Sequence, residues 1–213
     1  MNLNLSVIEQ QTHVLVEAGE RLFQLHRFAD GDSAHVARLE RWAEFPHLGR
    51  VVDMGCGTGE MARLMRRVRP DLDFVLVNLS PVQLAYAPID MRKHLCDFRC
   101  VPQPDESFDA VMFCFSIGHE LVAEALREAA RLLKKGGVLF IYDMVLVEGD
   151  GARLSALDYT VGKRADLEKA ADGFQLDFFM EPTDNGTHGR RVLGDGALSF
   201  AGTAPAIWRF IRC

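Results

Sequence analysis

The feature that most constrains the fold is a glycine-rich segment, VVDMGCGTGE, at residues 51–60. An apolar run ends at Asp53, glycines alternate at Gly55, Gly57 and Gly59, and a helical pattern follows. Glycines at this spacing let the backbone turn tightly and approach a ligand closely, because they carry no Cβ. The helix that follows directs free N–H groups towards the loop. The segment therefore predicts a strand, a loop and a helix, with a ligand held at the loop.

Apolar runs and helical patterns alternate on both sides of this segment. The predicted strands are Arg50–Met54, Phe74–Val77, Phe108–Phe115 and Val138–Val147, and the predicted helices are Met61–Val68, Pro81–Tyr86 and Val122–Leu133. A helix stop and turn are predicted at Lys134–Gly137. This alternation is typical of a parallel sheet covered by helices on both faces. Ligands bind at the carboxyl ends of the strands in such sheets.

The two ends of the chain have different patterns. Residues from Val7 to Phe45 are predicted to be helical with a break at Asp30–Asp32, after which Ser33 is the candidate N-cap. The second of these helices has an apolar stripe at helical spacing, formed by Val36, Leu39, Trp42 and Ala43. Near the other end, Leu167–Ala171 is predicted helical, Phe174–Phe179 and Ala206–Ile211 are predicted strands, and 180–205 is predicted loop. We expect these two strands to form an antiparallel pair at the sheet edge.

Composition limits the class of protein further. The 213 residues, 48% of them hydrophobic, suit one globular domain. The 24 basic and 30 acidic residues give a net charge of −6, which disfavours long nucleic acid as a partner. Five cysteines without a regular pattern indicate reduced thiols and a cytoplasmic location, and no apolar run is long enough to span a membrane. His94, Cys96 and Cys100 match no standard metal-ligand spacing, so we expect no metal site.

The glycine loop discriminates between ligand classes. A dinucleotide fingerprint requires glycine at position 60, where the chain has Glu60, and a carboxylate there is a poor neighbour for a pyrophosphate. The Gly-Lys-Ser/Thr sequence of a phosphate loop is absent. A tight turn without a ligand needs only one glycine. The remaining interpretation is a positively charged nucleoside without phosphate.

With these motifs, residues from Arg50 to Val147 resemble the class I S-adenosylmethionine-dependent methyltransferases, in their small-molecule branch. The resemblance implies an α/β fold of the Rossmann-like kind. Its doubly wound, mostly parallel seven-stranded sheet would have an antiparallel C-terminal strand pair and an N-terminal helical lid. It also implies that Asp53, Gly55, Gly57 and Gly59 surround the amino-acid moiety of S-adenosyl-L-methionine, which leaves as S-adenosyl-L-homocysteine.

The end of the second predicted strand departs from the family pattern. The resemblance implies that an Asp or Glu at the position of Asn78 accepts bonds from the ribose hydroxyls, with Leu79 beside it. The segment N-L-S-x-x-Q resembles the T-L-S-x-x-Q of cyclopropane-fatty-acid synthases and sterol-type C-methyltransferases, which puts Gln83 near the ribose. The same residues also fit a capping box, with Ser80 as N-cap and Gln83 three positions later. The two roles are compatible.

Two further segments complete the expected site. The resemblance implies that Asp97 accepts from the adenine amino group and that the Phe98 N–H meets a ring nitrogen. An exposed loop carboxylate is the alternative for Asp97. Phe115 and Ser116 lie at the end of the fourth predicted strand. The resemblance implies that groups at this strand end bind the cofactor and face the transferred methyl group.

His119 and Glu120 are the catalytic candidates. A neutral imidazole can accept a proton at pH 7, and a carboxylate can act as a base or stabilise a developing cation. The alternative for Glu120 is a structural position in the first turn of the next helix, where the helix dipole favours a carboxylate.

Together these residues predict an enzyme that transfers a methyl group from S-adenosylmethionine to a small molecule. C-methylation of an alkene or prenyl-type natural product is one possibility. N- or O-methylation, or a non-catalytic cofactor-binding subunit, are the alternatives, and Glu60 disfavours a nicotinamide-dependent oxidoreductase. The expected organisation is a single methyltransferase domain over 1–213. It comprises a lid at 1–49, a cofactor-binding core at 50–147 and a sheet edge with loops at 148–213.

Overall fold

A computed structural model describes residues 5–24, 26–119, 122–149, 152–154, 159–181 and 202–213. The helices are α1 (Leu5–Glu17), α2 (Asp32–Ala43), α3 (Glu60–Val68), α4 (Pro81–Tyr86), α5 (Val122–Leu132) and α6 (Arg164–Ala170). The strands are β1 (Arg50–Met54), β2 (Asp73–Asn78), β3 (Arg92–Leu95), β4 (Phe108–Cys114), β5 (Leu133–Leu146), β6 (Ala152–Leu154), β7 (Tyr159–Val161), β8 (Phe174–Met180) and β9 (Thr203–Arg212).

Seven of these strands form one sheet in the order β3-β2-β1-β4-β5-β9-β8. The first five strands run parallel, and β9 lies antiparallel to both β5 and β8. This topology confirms the predicted α/β fold, the seven-stranded sheet and the antiparallel C-terminal pair. From β1 the chain adds β2 and β3 on one side, and it then places β4 and β5 on the other side of β1. Parallel sheets bind ligands at such a switch point in the strand order.

The core has two layers because successive residues of a strand point to opposite faces of the sheet. On β1, for example, Val51 and Val52 are both fully buried but belong to different clusters. The cluster around Val51 includes Leu39 of α2 and Met65 of α3, and the cluster around Val52 includes Leu126 of α5. The apolar runs seen in the sequence are therefore central strands that are covered on both faces.

The N-terminal segment differs from its prediction. The described residues between α1 and α2, 18–24 and 26–31, which we call the strap, have no helical structure, so most of the predicted helix between Ala18 and Asp30 is wrong. Gly31 (φ 78°) precedes α2, and Ser33 lies inside the helix without a capping bond, so the predicted N-cap is also wrong. The stripe on α2 is confirmed, because Val36, Leu39 and Ala43 are fully buried.

Tertiary contacts hold the strap in its non-helical course. The ring of His35, fully buried in α2, accepts a bond from the Phe28 N–H at 3.0 Å, and its other nitrogen lies 2.6 Å from Gln24 Oε1. The Tyr142 hydroxyl donates to the His26 carbonyl at 2.5 Å. These bonds satisfy polar groups that a helix would have satisfied within itself, so helical periodicity alone did not determine the local structure.

Other differences are smaller. The short strand β3 and the hairpin of β6 and β7 were not predicted, and β5 begins at Leu133, so the predicted turn at Lys134–Gly137 belongs to its first residues. Most of the predicted loop at 180–205 lies outside the described residues. Within the described ranges, no helix is long and apolar enough to cross a membrane.

Candidate functional site

A cavity of about 170 Å³ lies at the carboxyl ends of β1, β2 and β4, where the topology predicts a ligand. The sequence-predicted site residues that line it are Asp53, Gly55, Gly57, Asn78, Leu79, Gln83, Asp97, Phe98, Phe115 and Ser116. The fold thus brings ten predicted residues, from four separate segments, around one space. Gly59 lies behind the loop, where an added Cβ would come within 2.8 Å of the Leu76 side chain.

The glycine loop has the backbone shape that its sequence indicates. Gly55, Gly57 and Gly59 all have positive φ, at 79°, 55° and 71°. At Gly55 an added Cβ would lie 2.5 Å from the Ser116 Cβ, so this glycine allows the loop to pack against the end of β4. At Gly57 an added Cβ meets no atom within 4 Å, and Gly57 lines the cavity. This is the loop position where a side chain would occupy ligand space.

Asp53 is the most electrostatically unusual group of the site. Its side chain is 1% exposed, and its Oδ2 has no hydrogen-bond partner among the described residues. Burial raises the pKa of Asp53 from 3.8 to about 8, because the ionised form loses its hydration. The neighbouring thiol of Cys56, which also lines the cavity, has its pKa raised by burial and by the charge of Asp53. A buried, unpaired carboxyl group at a cavity wall suits a ligand that carries positive charge.

The amide groups of Asn78 and Gln83 form a connected pair. Asn78 Nδ2 donates to the Gly57 carbonyl at 3.2 Å and to Gln83 Oε1 at 2.8 Å. The Gln83 N–H donates to Ser80 Oγ at 3.2 Å, so Ser80 is the N-cap of α4 as predicted. The return bond of a capping box is replaced, because the Ser80 N–H donates to Asn78 Oδ1 at 3.1 Å. The Gln83 side chain is therefore directed to Asn78 and the cavity instead of its own helix cap.

Asp97 and Phe98 lie together at the next strand end. Phe98 is buried and lines the cavity, and Asp97 lines it too. The Asp97 carboxylate is also bound by the Arg99 guanidinium at 2.6 Å and by the Arg99 N–H at 2.8 Å. These bonds from Arg99 hold the pKa of Asp97 below its ordinary value. The sequence analysis did not include Arg99, although its position two residues after the aspartate was a signal for this pairing.

The turn after β4 is held in a strained conformation. Phe115 has a φ of 56°, which is uncommon for a residue with a side chain, and its ring lines the cavity. Ser116 Oγ donates to the Met54 carbonyl at 2.6 Å. Asp143, buried on β5, accepts a bond from the Met144 N–H at 2.7 Å, and the nearby backbone N–H groups of Ser116 and Ile117 act to lower its pKa. Burial nevertheless raises the pKa of Asp143 to about 7. Asp143 therefore supports the turn and is not one of the residues that line the cavity.

The two catalytic candidates lie at the limit of the described residues. His119 ends a short 3₁₀ helix, Ile117–His119, that directly follows this turn. Glu120, and the side chain of His119, lie outside what the structure describes. The backbone of His119 lies next to the turn, and the roles of both residues stay predictions.

Sequence reasoning missed one wall of the cavity. α1 contributes Leu5, Ile8, Gln11, Thr12 and Leu15, and the strap contributes Arg21, Leu22, Phe23 and Gln24. Tyr159 of β7 and Cys114 of β4 complete this part of the lining. These residues have no motif, because they reach the site through tertiary packing. For the residues of α1 and the strap, the only signal in the sequence was their membership of the predicted lid segment.

The described residues hold no group of three or more His, Cys, Asp or Glu side chains placed to bind a metal ion. All five cysteines are free thiols. The space, the buried carboxyl group and the neutral amides around it therefore favour an organic ligand as the occupant of this site.

Comparison with known proteins matches the central part of the chain to one family. Residues 52–141 match the family model Methyltransf_11, described as a methyltransferase domain. The centre of the chain is thus similar to a methyltransferase domain. The matched segment contains the glycine loop, Asn78, Asp97 and the end of β4, so the match supports the predicted class of enzyme. The predicted cofactor, S-adenosylmethionine, agrees with this family match.

The sequence relatives include proteins named for ribosomal RNA processing and proteins named for quinone biosynthesis. Ribosomal RNA-processing protein 8 of Mus musculus is 35% identical over 94 residues, which cover 44% of this chain and 18% of that protein. The ubiquinone/menaquinone biosynthesis C-methyltransferase UbiE of Desulfotalea psychrophila is 31% identical over 111 residues, or 46% of this chain and 45% of that protein. The chain thus spans less than half the length of each of these relatives.

Structural neighbours extend over nearly the whole chain. The [4+2]-cyclase SpnF superimposes with a TM-score of 0.77 at 18% identity, over 96% of this chain and 95% of that one. Geranyl diphosphate C-methyltransferase from Streptomyces coelicolor A3(2), in complex with S-adenosyl-L-homocysteine, superimposes with a TM-score of 0.74 at 16% identity, over 85% of this chain and 79% of that one. At these identities the likeness establishes the fold.

Proposed function

We propose that this protein transfers the methyl group of S-adenosylmethionine to a small-molecule acceptor. One observation carries the proposal: the glycine loop, the amides of Asn78 and Gln83, and the predicted lid helix α1 all line a single cavity. The methyltransferase domain over 52–141 supports the same reaction class. We propose further that residues 1–49 act as the lid, 50–147 as the cofactor-binding core and 148–213 as the edge of one domain.

The cofactor fits the groups that line the cavity. S-adenosylmethionine carries an ammonium and a sulfonium charge, and the buried Asp53 carboxyl group, whose Oδ2 lacks a partner, is placed to meet positive charge. The open space beside Gly57 allows the loop backbone to approach the ligand. Asn78 and Gln83 offer neutral polar atoms suited to hydroxyl groups. In our proposal these contacts orient the nucleoside along the carboxyl ends of β1, β2 and β4.

The main task of the protein is to position the acceptor relative to the bound cofactor. The bound cofactor supplies an already activated methyl group, so the chain must orient the acceptor and exclude water. Such positioning contributes on the order of 7–11 kcal/mol, more than one acid–base residue provides. Phe115, whose ring lines the cavity from a strained backbone, is placed to shape this contact region. His119 is proposed as a proton acceptor, and Glu120 as a base or a cation-stabilising group.

The acceptor is proposed to be small and largely apolar, with C-methylation of an alkene or prenyl-type compound as the leading hypothesis. α1 presents Leu5, Ile8 and Leu15 to the cavity, and the strap adds Leu22 and Phe23 to its lining. A covered cavity with apolar side chains suits a small molecule. The C-methyltransferase names of UbiE and of the Streptomyces coelicolor protein agree with this hypothesis. N- or O-methylation uses the same cofactor geometry.

A second candidate is methylation of RNA. The sequence relatives named ribosomal RNA-processing protein 8 and 25S rRNA (adenine(645)-N(1))-methyltransferase favour it. The net charge of −6 opposes it, because binding a polyanion requires surplus basic side chains. We therefore place it second and include it in the test.

The test begins with calorimetric titration of S-adenosylmethionine and S-adenosylhomocysteine into the purified chain. The chain is then incubated with the cofactor and with separate panels of prenyl diphosphates, quinone-type phenols, amines and short RNA hairpins. We expect binding of both nucleosides and a product one CH₂ unit heavier from a small-molecule panel. A product only from RNA would replace the first candidate by the second. Cofactor binding without turnover in any panel, or in a metabolite extract, would favour the non-catalytic subunit.

A further inference from the structure

A continuous series of hydrogen bonds leads from α1 to the glycine loop. Thr12 Oγ1, on α1, accepts from Gln83 Nε2 at 3.0 Å. Gln83 Oε1 accepts from Asn78 Nδ2 at 2.8 Å, and Asn78 Nδ2 also donates to the Gly57 carbonyl at 3.2 Å. Three segments that are distant in sequence are thus joined through two side-chain amides. We call this series the amide relay.

The direction of every bond in the amide relay follows from its first member. The Thr12 hydroxyl donates its single proton to the Ile8 carbonyl of its own helix at 2.8 Å, so towards Gln83 it can only accept. Gln83 must therefore present its NH₂ group to Thr12 and its oxygen to Asn78. Asn78 must then present its NH₂ group to Gln83 and to Gly57. One helix carbonyl sets the orientation of both amides.

This direction explains why position 78 holds Asn instead of the acidic residue that the family resemblance implies. A carboxylate has no N–H and cannot donate to Gln83 Oε1 or to the Gly57 carbonyl. The oxygen of Asn78 is occupied by the Ser80 N–H at 3.1 Å and keeps one lone pair. Gln83 keeps one N–H and one lone pair of its oxygen. The cavity wall therefore offers two acceptors and one donor, which suits a pair of neighbouring hydroxyl groups.

Thr12 is placed to hold this arrangement. It is only 1% exposed, although it belongs to a helix whose other described residues are partly or largely exposed. A second polar contact seats the same helix nearby, where Ser80 Oγ donates to Glu9 Oε1 at 3.0 Å. α1 therefore docks on the first turn of α4 with Thr12 directed at Gln83.

We propose that Thr12 is a positioning residue for nucleoside recognition. It orients the Gln83 amide, and through it Asn78, towards the ribose hydroxyls, so the ribose site is complete only when α1 is docked. The inference rests on the proposed function, because it takes the hydroxyl groups to be those of the cofactor ribose. It assigns a binding role to a helix outside the matched methyltransferase domain.

The test compares three proteins, the parent, Thr12→Val and Thr12→Ser, in calorimetric titrations with S-adenosylhomocysteine and with its 2′-deoxyribose analogue. Val keeps the shape of Thr and removes the acceptor, whereas Ser keeps the hydroxyl. We expect Thr12→Val to weaken S-adenosylhomocysteine binding by about three- to tenfold, the worth of one hydrogen bond. It should also reduce the parent's preference for the ribose form by a similar factor. Thr12→Ser should retain that preference.

Glu9→Ala is the matched control, because it removes another contact between α1 and α4, the bond from Ser80 Oγ, and leaves every member of the amide relay in place. We expect it to weaken both ligands equally. If Thr12→Val also weakens both ligands equally, or if the parent does not distinguish the two sugars, the positioning role is wrong, although the proposed function stands. If the parent binds neither S-adenosylhomocysteine nor S-adenosylmethionine, the proposed function itself fails.

Discussion

Replacing Asp53 by Asn should stabilise the ligand-free protein and weaken its cofactor binding. The carboxyl group is 1% exposed, and burial raises its pKa to about 8. The folded protein therefore holds a proton at pH 7 that the unfolded chain releases near pH 4. Because one pKa unit corresponds to about 1.4 kcal/mol, this mismatch of about three units at pH 7 costs about 4 kcal/mol of stability. Asp53→Asn removes this cost, but burying the new amide without a partner costs about 1–3 kcal/mol. The free energy of unfolding of Asp53→Asn should therefore exceed that of the parent by about 1–3 kcal/mol.

The pH dependence gives a second measure of the same effect. A carboxyl group whose pKa is raised on folding lowers stability as pH rises from its unfolded to its folded pKa, here from about 4 to about 8. Between pH 5 and 7 the contribution of Asp53 is a loss of about 1.4 kcal/mol per pH unit. Urea unfolding of the parent and of Asp53→Asn at pH 5, 6 and 7 measures both the gain and this slope. Asp143, whose pKa burial raises to about 7, adds a similar slope to both proteins, so their difference isolates Asp53.

Cofactor binding should respond in the opposite sense. If the ligand ammonium pairs with the ionised Asp53, binding releases a proton below pH 8, and affinity should rise about tenfold per unit between pH 6 and 7. Asp53→Asn should bind more weakly at pH 8 and lose this dependence. A variant that is less stable than the parent, or that has the same pH slope, would refute the assignment of a buried, protonated carboxyl group.

Three further predictions concern the loop, the amides and the strap. Asn78→Asp, which introduces the residue type usual in the family, should weaken S-adenosylhomocysteine binding about tenfold in calorimetry, because the carboxylate faces the Gly57 carbonyl without an N–H to donate. Gly57→Val should abolish detectable cofactor binding while near-ultraviolet circular dichroism remains native, since its side chain would enter open cavity space at a φ of 55°. His35→Ala should lower the midpoint of urea unfolding by an amount equivalent to about 2–4 kcal/mol, because it leaves a cavity and removes the partners of Gln24 and the Phe28 N–H. Retention of native cofactor affinity in either of the first two variants, or of native stability in the third, would contradict the corresponding contact.

Much of the fold could be predicted because its central strands are marked locally. An uninterrupted apolar run such as residues 110–114 of β4 suits a strand covered on both faces, and its neighbours are separated by amphipathic helices. The short strand β3 has no fully buried position, with exposed or half-buried side chains throughout Arg92–Leu95. It pairs at the sheet edge through its backbone, which any sequence supplies, so its residues carried little signal.

The cofactor side of the site was also largely visible in the sequence. Glycines such as Gly55 and Gly57 are needed for backbone conformations and close approaches that other residues resist, so their spacing reports the loop directly. The electrostatics were not visible. The protonation of Asp53 does not follow from residue identity, because it depends on which atoms surround the carboxyl group. The pairing of Asp97 with Arg99 had only the spacing of the two residues as a signal.

The sequence by itself determined most of the strands and helices of the core, the glycine loop and the residue types at the strand ends, since each depends on interactions within a few positions of the chain. Only the tertiary structure decided that the strap is not helical in its described residues and that α1 seats Thr12 on Gln83, 71 positions away. The physical reason is that the apolar pattern of a helix face predicts that the face will be buried, but it does not predict which segment will cover it. The partner is selected by packing and by hydrogen bonds between segments that meet only in the folded protein.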